Sequence, residues 1–164
     1  MRIEIAWEKL DDLLADGLED LAIGHWDEAE NDHMPLDLDL AEARKRERAG
    51  TFKIAGVRNA AALLGYAYFQ IGSSLQHKST KQAWCEGLYV DPSARGAGAL
   101  LLRAIPRLMR EIDVHRCFMA SKPHVALRSG DEQATLGDLL ISLDWSVFET
   151  TYVKHLEPVN ERGK

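Results

Sequence analysis

The sequence predicts an α+β fold built on a mixed sheet of about seven strands, flanked by about four helices. Stretches in which apolar and polar residues alternate occur near both ends and in the middle of the chain, and each is typical of a half-buried strand. Leucines and isoleucines at helical spacing occupy the stretches between them. One such helical stretch directly follows a strand and a glycine-rich turn. Antiparallel strands therefore come first, and one strand–turn–helix–strand crossover follows.

The first third of the chain is predicted to hold a short strand and two helices. Residues 2–5 alternate between charged and apolar side chains, as in a strand. Residues 7–23 carry leucines at helical spacing, and Gly17 is expected to split this helix because glycine weakens a helix interior. Asp39 is placed to cap a second helix, which ends before Gly50.

The remainder is predicted to form a hairpin, a polar connection and the crossover. Residues 51–57 and 62–71 have the pattern of antiparallel hairpin strands, and residues 72–82 that of a polar connection. The later elements are expected to be a strand at residues 83–90, a helix at 99–112 that contains Pro106, a strand at 116–121, a helix at 135–143, and strands at 145–148 and 151–156.

Length and composition indicate a single domain. The chain has 164 residues, 46% hydrophobic and 28% charged, and we assign the domain to residues 1–157 and a flexible tail to residues 158–164. No apolar run is long enough to span a membrane, and the N-terminus lacks the plan of a signal peptide, so the cytoplasm is the expected location. Cys85 and Cys117 lie in apolar strands and are expected to be buried small hydrophobes rather than catalytic thiols.

Charge is distributed unevenly along the chain. The net charge is −6, which argues against a general nucleic-acid-binding surface. Residues 1–42 hold fourteen acidic and two basic side chains, a net charge of −12, so residues 43–164 carry +6. A solubilising surface would account for this asymmetry. If the acidic segment instead flanks a binding site, it would attract a cationic amine.

The most informative segment is the glycine turn Arg95-Gly96-Ala97-Gly98, between a predicted strand and a predicted helix. Two glycines allow the backbone to approach a ligand closely, and the N–H groups at a helix N-terminus attract an anion. Arg95 adds a positive charge beside them. The turn therefore predicts a phosphate or pyrophosphate site, although a tight strand-to-helix turn without a ligand would need the same glycines.

Two familiar phosphate-binding motifs do not fit this turn. A P-loop needs a Lys-Ser or Lys-Thr pair after its last glycine, where Ala99 and Leu100 stand. A dinucleotide-binding turn needs a small residue at position 101, where Leu101 stands, and it opens a βαβ unit instead of following a run of hairpin strands. A nucleotide-phosphate binder of another fold stays open as an interpretation, and it predicts a preference for ATP or NAD.

The element order, the strand end Leu88-Tyr89-Val90-Asp91-Pro92 and the turn Arg95-Gly96-Ala97-Gly98 together resemble the GNAT superfamily of N-acetyltransferases. The resemblance covers nearly the whole chain. It includes Leu143-Asp144-Trp145, which is similar to the leucine-glycine-phenylalanine step into the sixth strand of that family. His25-Trp26-Asp27-Glu28 and Gly65-Tyr66 resemble small GNAT proteins encoded by phages and prophages, so a bacterial or phage source is expected.

The resemblance implies where acetyl-CoA would bind. Its pyrophosphate would lie on the backbone of the glycine turn, and its pantetheine arm would run beside the fourth strand, which this family splays from the fifth. The residues implied in cofactor binding are Leu88, Tyr89, Val90, Arg95, Gly96, Ala97, Gly98, Ala99 and Leu100. No metal is implied, and the spacing of the histidines predicts none.

Four positions depart from the family pattern. Leu100 stands where a small residue is usual beside the pyrophosphate, and Asp144 stands where glycine is usual. The asparagine often found after the fifth strand is missing from residues 121–124. Leu140 occupies the place of the tyrosine that protonates the leaving thiolate. These departures bear on catalysis more than on CoA binding.

Acyl transfer to an amine needs a proton acceptor, donors for the oxyanion and, for the leaving thiolate, an acid. Glu86, on the fourth strand near the presumed thioester, is the candidate base and would act either through water or when partly buried; a solvated or salt-bridged glutamate is the alternative. The backbone N–H of Leu88 or Val90 is the candidate oxyanion donor. Tyr152 and His124 are the candidate acids.

The sequence thus predicts an N-acetyltransferase that moves acetyl from acetyl-CoA to a primary amine of a protein, a polyamine or another small cationic molecule. His25 and Glu28, three residues apart on a helix, are expected to border the acceptor side, although a polar pair at a helix end would look the same. The alternative is a CoA-binding GNAT-fold module with impaired catalysis that modulates a host or binds another protein. Members of this family often pair through their last strands, so the resemblance also implies that a homodimer could form through Val147, Phe148, Tyr152 and Val153.

Overall fold

The computed structural model describes residues 2–29, 35–121 and 135–149, which form five strands and five helices. The strands are β1 (Ile3–Glu8), β2 (Phe52–Asn59), β3 (Ala62–Ser74), β4 (His77–Val90) and β5 (Arg116–Met119). The helices are α1 (Leu10–Ala15), α2 (Leu18–Ala29), α3 (Leu40–Arg48), α4 (Ala97–Glu111) and α5 (Leu136–Ser142). No helix within these ranges combines the length and apolarity needed to cross a bilayer.

The sheet is mixed, and its strands lie in chain order. Strands β1 to β4 pair antiparallel, and β5 runs parallel to β4 because α4 carries the chain back along the sheet. The predicted α+β class is confirmed. The strand count of about seven was too high for the described ranges: residues 145–148 form no ladder, and residues 151–156 lie outside the description.

Gly17 divides the first helical stretch as predicted. Its φ of +95° lies in a region that other residues avoid, and it separates α1 from α2. The helical stretch begins at Leu10 and not at residue 7, because Trp7 and Glu8 extend β1 and pair with β2. The cap at Asp39 is also confirmed, since its carboxylate accepts the backbone N–H of Glu42 at 2.9 Å.

The β3–β4 hairpin is longer than predicted. Residues 72–82, expected to be a polar connection, instead complete β3 and begin β4 around a turn at Leu75 and Gln76. Most of these residues are exposed on both sides of the hairpin, so they lack the alternation that identifies a half-buried strand.

Helices cover both faces of the sheet. On one face, called the α4 face below, α4 and α5 pack on Val57, Ala67 and Phe69. On the opposite face, called the α1–α3 face, α1 and α2 pack on Ile54 and Tyr66, and α3 adds a partly buried contact. Side chains that alternate along β3 therefore enter two separate apolar clusters.

Candidate active site

Strand β4 continues beyond its parallel neighbour. Strand β5 pairs with residues 82–85 of β4, and the last register pair is Cys85 with Met119. Strand β4 runs on to Val90, so no described strand covers its edge from Glu86 onward. This is the separation of the fourth and fifth strands that the sequence predicts. Backbone N–H and C=O groups at such an edge can pair with an extended ligand.

The N–H groups of Leu88 and Val90 point to this open edge. On the other side of β4, Asp91 donates its N–H to the carbonyl of Leu64 on β3 at 2.8 Å. Successive N–H groups of a strand point to opposite edges, and the register is regular from Gly87 onward. Leu88 and Val90 therefore direct their N–H groups away from β3, toward the edge of β4 that no described strand covers.

Glu86 is the extra residue of a β-bulge. Tyr68 pairs with Gly87 and Phe69 pairs with Cys85, so Glu86 has no partner of its own in the ladder. The two neighbours meet different surroundings. Cys85 packs against the apolar cluster of the α4 face, whereas Glu86 is exposed and lines a pocket on the α1–α3 face.

Both cysteines are unsuited to act as nucleophiles. Burial raises the pKa of the Cys85 thiol to about 12, with a smaller effect from the neighbouring Cys117. Burial likewise raises the pKa of Cys117 to about 12. Because the thiolate is the reactive form, neither side chain has a nucleophile to offer at neutral pH. This agrees with their predicted role as small apolar residues.

The glycine turn connects the open edge of β4 to the N-terminus of α4. Gly96 has a φ of +81° and is the N-cap residue of α4. A Cβ placed on Gly96 or Gly98 would meet no atom of the described residues within 4 Å, so these residues leave the space beside the turn open. The first-turn N–H groups of α4 therefore lie beside accessible space, which is the arrangement that binds anions.

The departures from the family pattern have different structural outcomes. Leu100 is 43% exposed on the first turn of α4, whereas Leu140 is 7% exposed and packs in the α4-face core, so it supplies no acid. Asp144 has a φ of +64° directly after α5. Glycine suits that backbone conformation best, and aspartate is one of the few other residues that adopt it.

A pocket of about 430 Å³ opens on the α1–α3 face. Helices α1, α2 and α3 form its walls, together with the segment that leads into α3. The sheet contributes Phe52, Ile54, Tyr66, Tyr68 and Glu86. Gly87 permits this arrangement, because a Cβ at that position would collide with the Tyr68 ring.

His25 and Glu28 lie on α2 and contact tyrosines of the sheet. His25 Nδ1 shares a hydrogen bond of 2.8 Å with the Tyr66 hydroxyl, and its ring stacks on Tyr89 with centroids 5.3 Å apart. Tyr89 donates its hydroxyl to Glu28 at 3.3 Å. Of the two residues predicted for the acceptor side, His25 lines the pocket, and Glu28 instead binds the tyrosine beside it.

Ion pairs take up part of the negative charge of residues 1–42. Glu8 and Asp16 both bind Arg58, at 2.7 and 2.8 Å, and these hydrogen bonds raise the pKa of the arginine above its ordinary value. Asp11 binds Arg44 at 2.7 Å. The acidic segment is therefore tied to later basic residues, and its sequence charge overstates the charge at the pocket.

An ion-pair cluster also lies at the pocket itself. Glu42 accepts hydrogen bonds from Arg46 at 2.9 Å and Lys45 at 3.1 Å, which lower the pKa of its carboxyl. The same hydrogen bond raises the pKa of Arg46, and the nearby charge of Glu86 adds to the effect. Sequence reasoning missed Arg46, because its approach to the pocket depends on how α3 packs.

Several predicted residues lie outside the described ranges. The candidate acids His124 and Tyr152 are among them, as is Val153 of the expected dimer surface. Within the described ranges, no three His, Cys, Asp or Glu side chains are grouped to hold a metal ion.

Known proteins resemble this chain in sequence pattern and in fold. The model of the acetyltransferase (GNAT) family matches residues 12–128, and the sequence matches no curated protein. Ribosomal-protein-alanine N-acetyltransferase from Brucella melitensis biovar Abortus 2308 superposes with a TM-score of 0.67 at 16% identity, over 96% of this chain and 100% of its own. AAC(6')-Iy, solved with the bisubstrate analog CoA-S-monomethyl-acetylneamine, gives 0.67 at 17% identity over 96% and 100%.

A third similar structure is the aminoglycoside acetyltransferase HMB0005 from an uncultured soil metagenomic sample, with a TM-score of 0.67 at 10% identity over 96% of this chain and 99% of its own. At such identities these structures establish a shared fold. The family match spans most of the chain, including the uncovered edge of β4 and the glycine turn. The chain therefore belongs to the GNAT family of acyl-CoA-dependent N-acetyltransferases.

Proposed function

We propose that this protein transfers an acetyl group from acetyl-CoA to a primary amine, carried by a protein lysine or N-terminus, a polyamine or another small cationic molecule. One observation carries the proposal. The edge of β4 that no described strand covers leads through the glycine turn into the N-terminus of α4. Glu86, where this edge begins, lines the pocket on the α1–α3 face. A donor bound along the edge and an acceptor bound in the pocket would meet at Glu86.

The donor side fits the chemistry of CoA. The open space at Gly96 and Gly98 would admit the pyrophosphate to the backbone of residues 95–100, where the helix dipole favours an anion. The edge from Glu86 to Val90 would pair with the amide groups of the pantetheine arm. Acetyl-CoA supplies the activated acyl group as a thioester.

The chain's own groups would then assist the transfer. The N–H groups of Leu88 and Val90 point to the side where the thioester oxygen would develop negative charge, and they would stabilise it. Glu86, acting through water, would take the first proton from the ammonium ion. The amine nitrogen bonds to the acetyl carbon, the C–S bond breaks, and the second amine proton goes to the departing thiolate.

Calorimetry with acetyl-CoA and with CoA tests the donor site. We expect a dissociation constant below about 100 μM, equivalent to about −5.5 kcal/mol. Gly96→Ala is expected to weaken binding, because it strains the left-handed backbone that aims the turn. Gly50→Ala is the matched control: Gly50 also has a positive φ, +73°, and open space around its Cβ position. Equal loss of affinity in both variants would show that the turn does not bind the donor.

The release of free thiol from acetyl-CoA, measured with a panel of amines, tests the chemistry. Glu86→Gln is expected to lower kcat by about 100-fold while the affinity for acetyl-CoA is kept, since general-base catalysis contributes about 10²–10⁴-fold. Glu4→Gln, an exposed glutamate on β1, is the control and should retain activity. CoA binding without turnover of any amine would instead favour the alternative, a CoA-binding module with impaired catalysis.

Sequence similarity also supports a finer assignment. His25-Trp26-Asp27-Glu28 and Gly65-Tyr66 resemble small phage- and prophage-encoded members of the family. We therefore also propose that this protein is encoded by a bacterium or a phage and acts in the cytoplasm. Sedimentation of the purified chain would test the homodimer.

A further inference from the structure

The pocket on the α1–α3 face is lined mainly by apolar and aromatic side chains. Leu10, Leu14 and Leu18 line it from the helices, and Phe52 and Tyr68 line it from the sheet. Its volume of about 430 Å³ is in the range of sites for small organic molecules. Such walls favour a ligand with an apolar body, because burial of its surface drives binding.

Most of the charged groups at the pocket are already engaged within the protein. Glu42 is paired with Arg46 and Lys45, and the Asp39 carboxylate caps α3. Arg46 itself lines the pocket, near Glu86, and its positive charge is offset in part by its ion pair with Glu42. Glu19 and Glu86 also line the pocket, without an ion pair among the described residues, so a polycation would find only these two carboxylates in a lining that is otherwise mainly apolar.

Glu86 differs from these acidic residues in its position. It belongs to the sheet, at the point where β4 leaves β5 and where the donor would run. An ammonium group held at Glu86 would lie next to the open strand edge. The rest of the same molecule would extend toward the leucines of α1.

On the basis of the proposed function, we infer that the acceptor is a monoamine with an apolar aliphatic or aromatic body. Its ammonium group binds at Glu86, and its body occupies the space between Leu14 and Tyr68. This narrows the broad class of cationic amines. It also separates this chain from its structural neighbours whose names describe aminoglycoside acetyltransferases.

Steady-state kinetics with a matched set of amines tests the inference. Hexylamine and 2-phenylethylamine are compared with ethylamine, spermidine and kanamycin at a fixed concentration of acetyl-CoA. Each buried methylene contributes about fourfold, so we expect kcat/KM for hexylamine to exceed that for ethylamine at least tenfold, and to exceed that for spermidine. A higher kcat/KM for spermidine or kanamycin overturns the inference and leaves the proposed function standing.

A failure of catalysis is distinguishable from a failure of this inference. If no amine is acetylated although acetyl-CoA binds, the proposed function is wrong, and calorimetry of hexylamine against the CoA complex then decides the inference. Binding of hexylamine that is at least tenfold tighter than that of spermidine supports an apolar acceptor site. Equal or weaker binding overturns it.

Two substitutions locate the effect in the pocket. Leu14→Asn is expected to lower the hexylamine-to-ethylamine ratio of kcat/KM at least fivefold, because it removes apolar contact on one wall. Leu75→Asn is the control, since Leu75 is fully exposed at the β3–β4 turn, and it should leave the ratio unchanged. An unchanged ratio in folded Leu14→Asn overturns the inference. If that variant does not fold, Leu14→Ala serves in its place with the same criterion.

Discussion

The two faces of the sheet are covered in different ways. On the α4 face, one helix of 15 residues places Leu101, Leu102 and Ile105 in full burial, in one cluster with Phe69. On the α1–α3 face, two short helices and one of 12 residues share the task, and α3 contributes no fully buried side chain. The long amphipathic helix covers the middle of its face and leaves a pocket only at the margin, against β5 and residues 143–148, whereas the shorter elements leave space between them. The comparison assigns stability chiefly to one face, and the proposed acceptor site lies on the other.

The largest effect on stability is expected when a buried side chain of the α4 face is shortened. Ile105→Ala should lower the free energy of unfolding by about 2–5 kcal/mol, because Ile105 is 0% exposed and the cavity left behind cannot fill. Leu14→Ala on the pocket wall is the matched change, and it should cost less than about 1.5 kcal/mol since Leu14 is only half-buried. Urea denaturation measures both. Equal losses would contradict the contrast between the two faces.

The second effect is a loss of folding stability at alkaline pH, caused by the thiols on the α4 face. In the folded state the pKa of Cys85 is raised to about 12, so the folded protein keeps a proton that the unfolded chain loses above about pH 9. The stabilising contribution is present below pH 9 and is lost as pH rises toward 12, by roughly 1.4 kcal/mol per pH unit for each such thiol.

Urea denaturation between pH 8 and pH 11 measures this dependence. The variant Cys85→Ala should show a shallower loss of stability with rising pH than the unchanged chain, and Leu75→Asn at the fully exposed β3–β4 turn should show the same slope as the unchanged chain. Identical slopes for all three proteins would argue against a buried thiol at position 85.

The smallest effect is expected at the end of α5. Asp144→Gly should raise the free energy of unfolding by about 0.5–1 kcal/mol, because Asp144 has a φ of +64° and glycine adopts this conformation without strain. Asp12→Gly inside α1 is the control, and it should lower stability, since glycine is unfavourable in a helix interior. Thermal unfolding compares them. A loss of stability in both variants would show that the backbone at Asp144 is not strained.

Features that depend on neighbours in the chain could be predicted from the sequence. The split at Gly17 and the cap at Asp39 follow from local backbone rules. The turn into α4 follows from the two glycines in Arg95-Gly96-Ala97-Gly98. Features that depend on distant partners were missed. Trp7 was assigned to a helix because it precedes a leucine stripe, but its pairing with Ala55 places it in β1.

The same division applies to the candidate site. The backbone of the glycine turn was predicted, whereas the aromatic pocket was not, although Tyr66 and Tyr68 alternate with small residues along β3 and so share a face. The ion pair of Glu42 with Arg46 was also missed. Its two residues lie one helical turn apart on α3, but their position at the pocket depends on how α3 packs on the sheet. The bulge at Glu86 has no sequence signal that sets it apart from a regular strand.

The bulge has a consequence for how this enzyme could be altered. Glu86 is an insertion in the β3–β4 ladder, because Cys85 and Gly87 already pair with consecutive residues of β3. Deletion of this single residue would leave each remaining side chain of β4 on its present face and would restore continuous pairing. Such a chain would lose the carboxylate together with the local bend and added twist that a bulge gives its strand, so one residue sets both the candidate base and the course of the β4 edge.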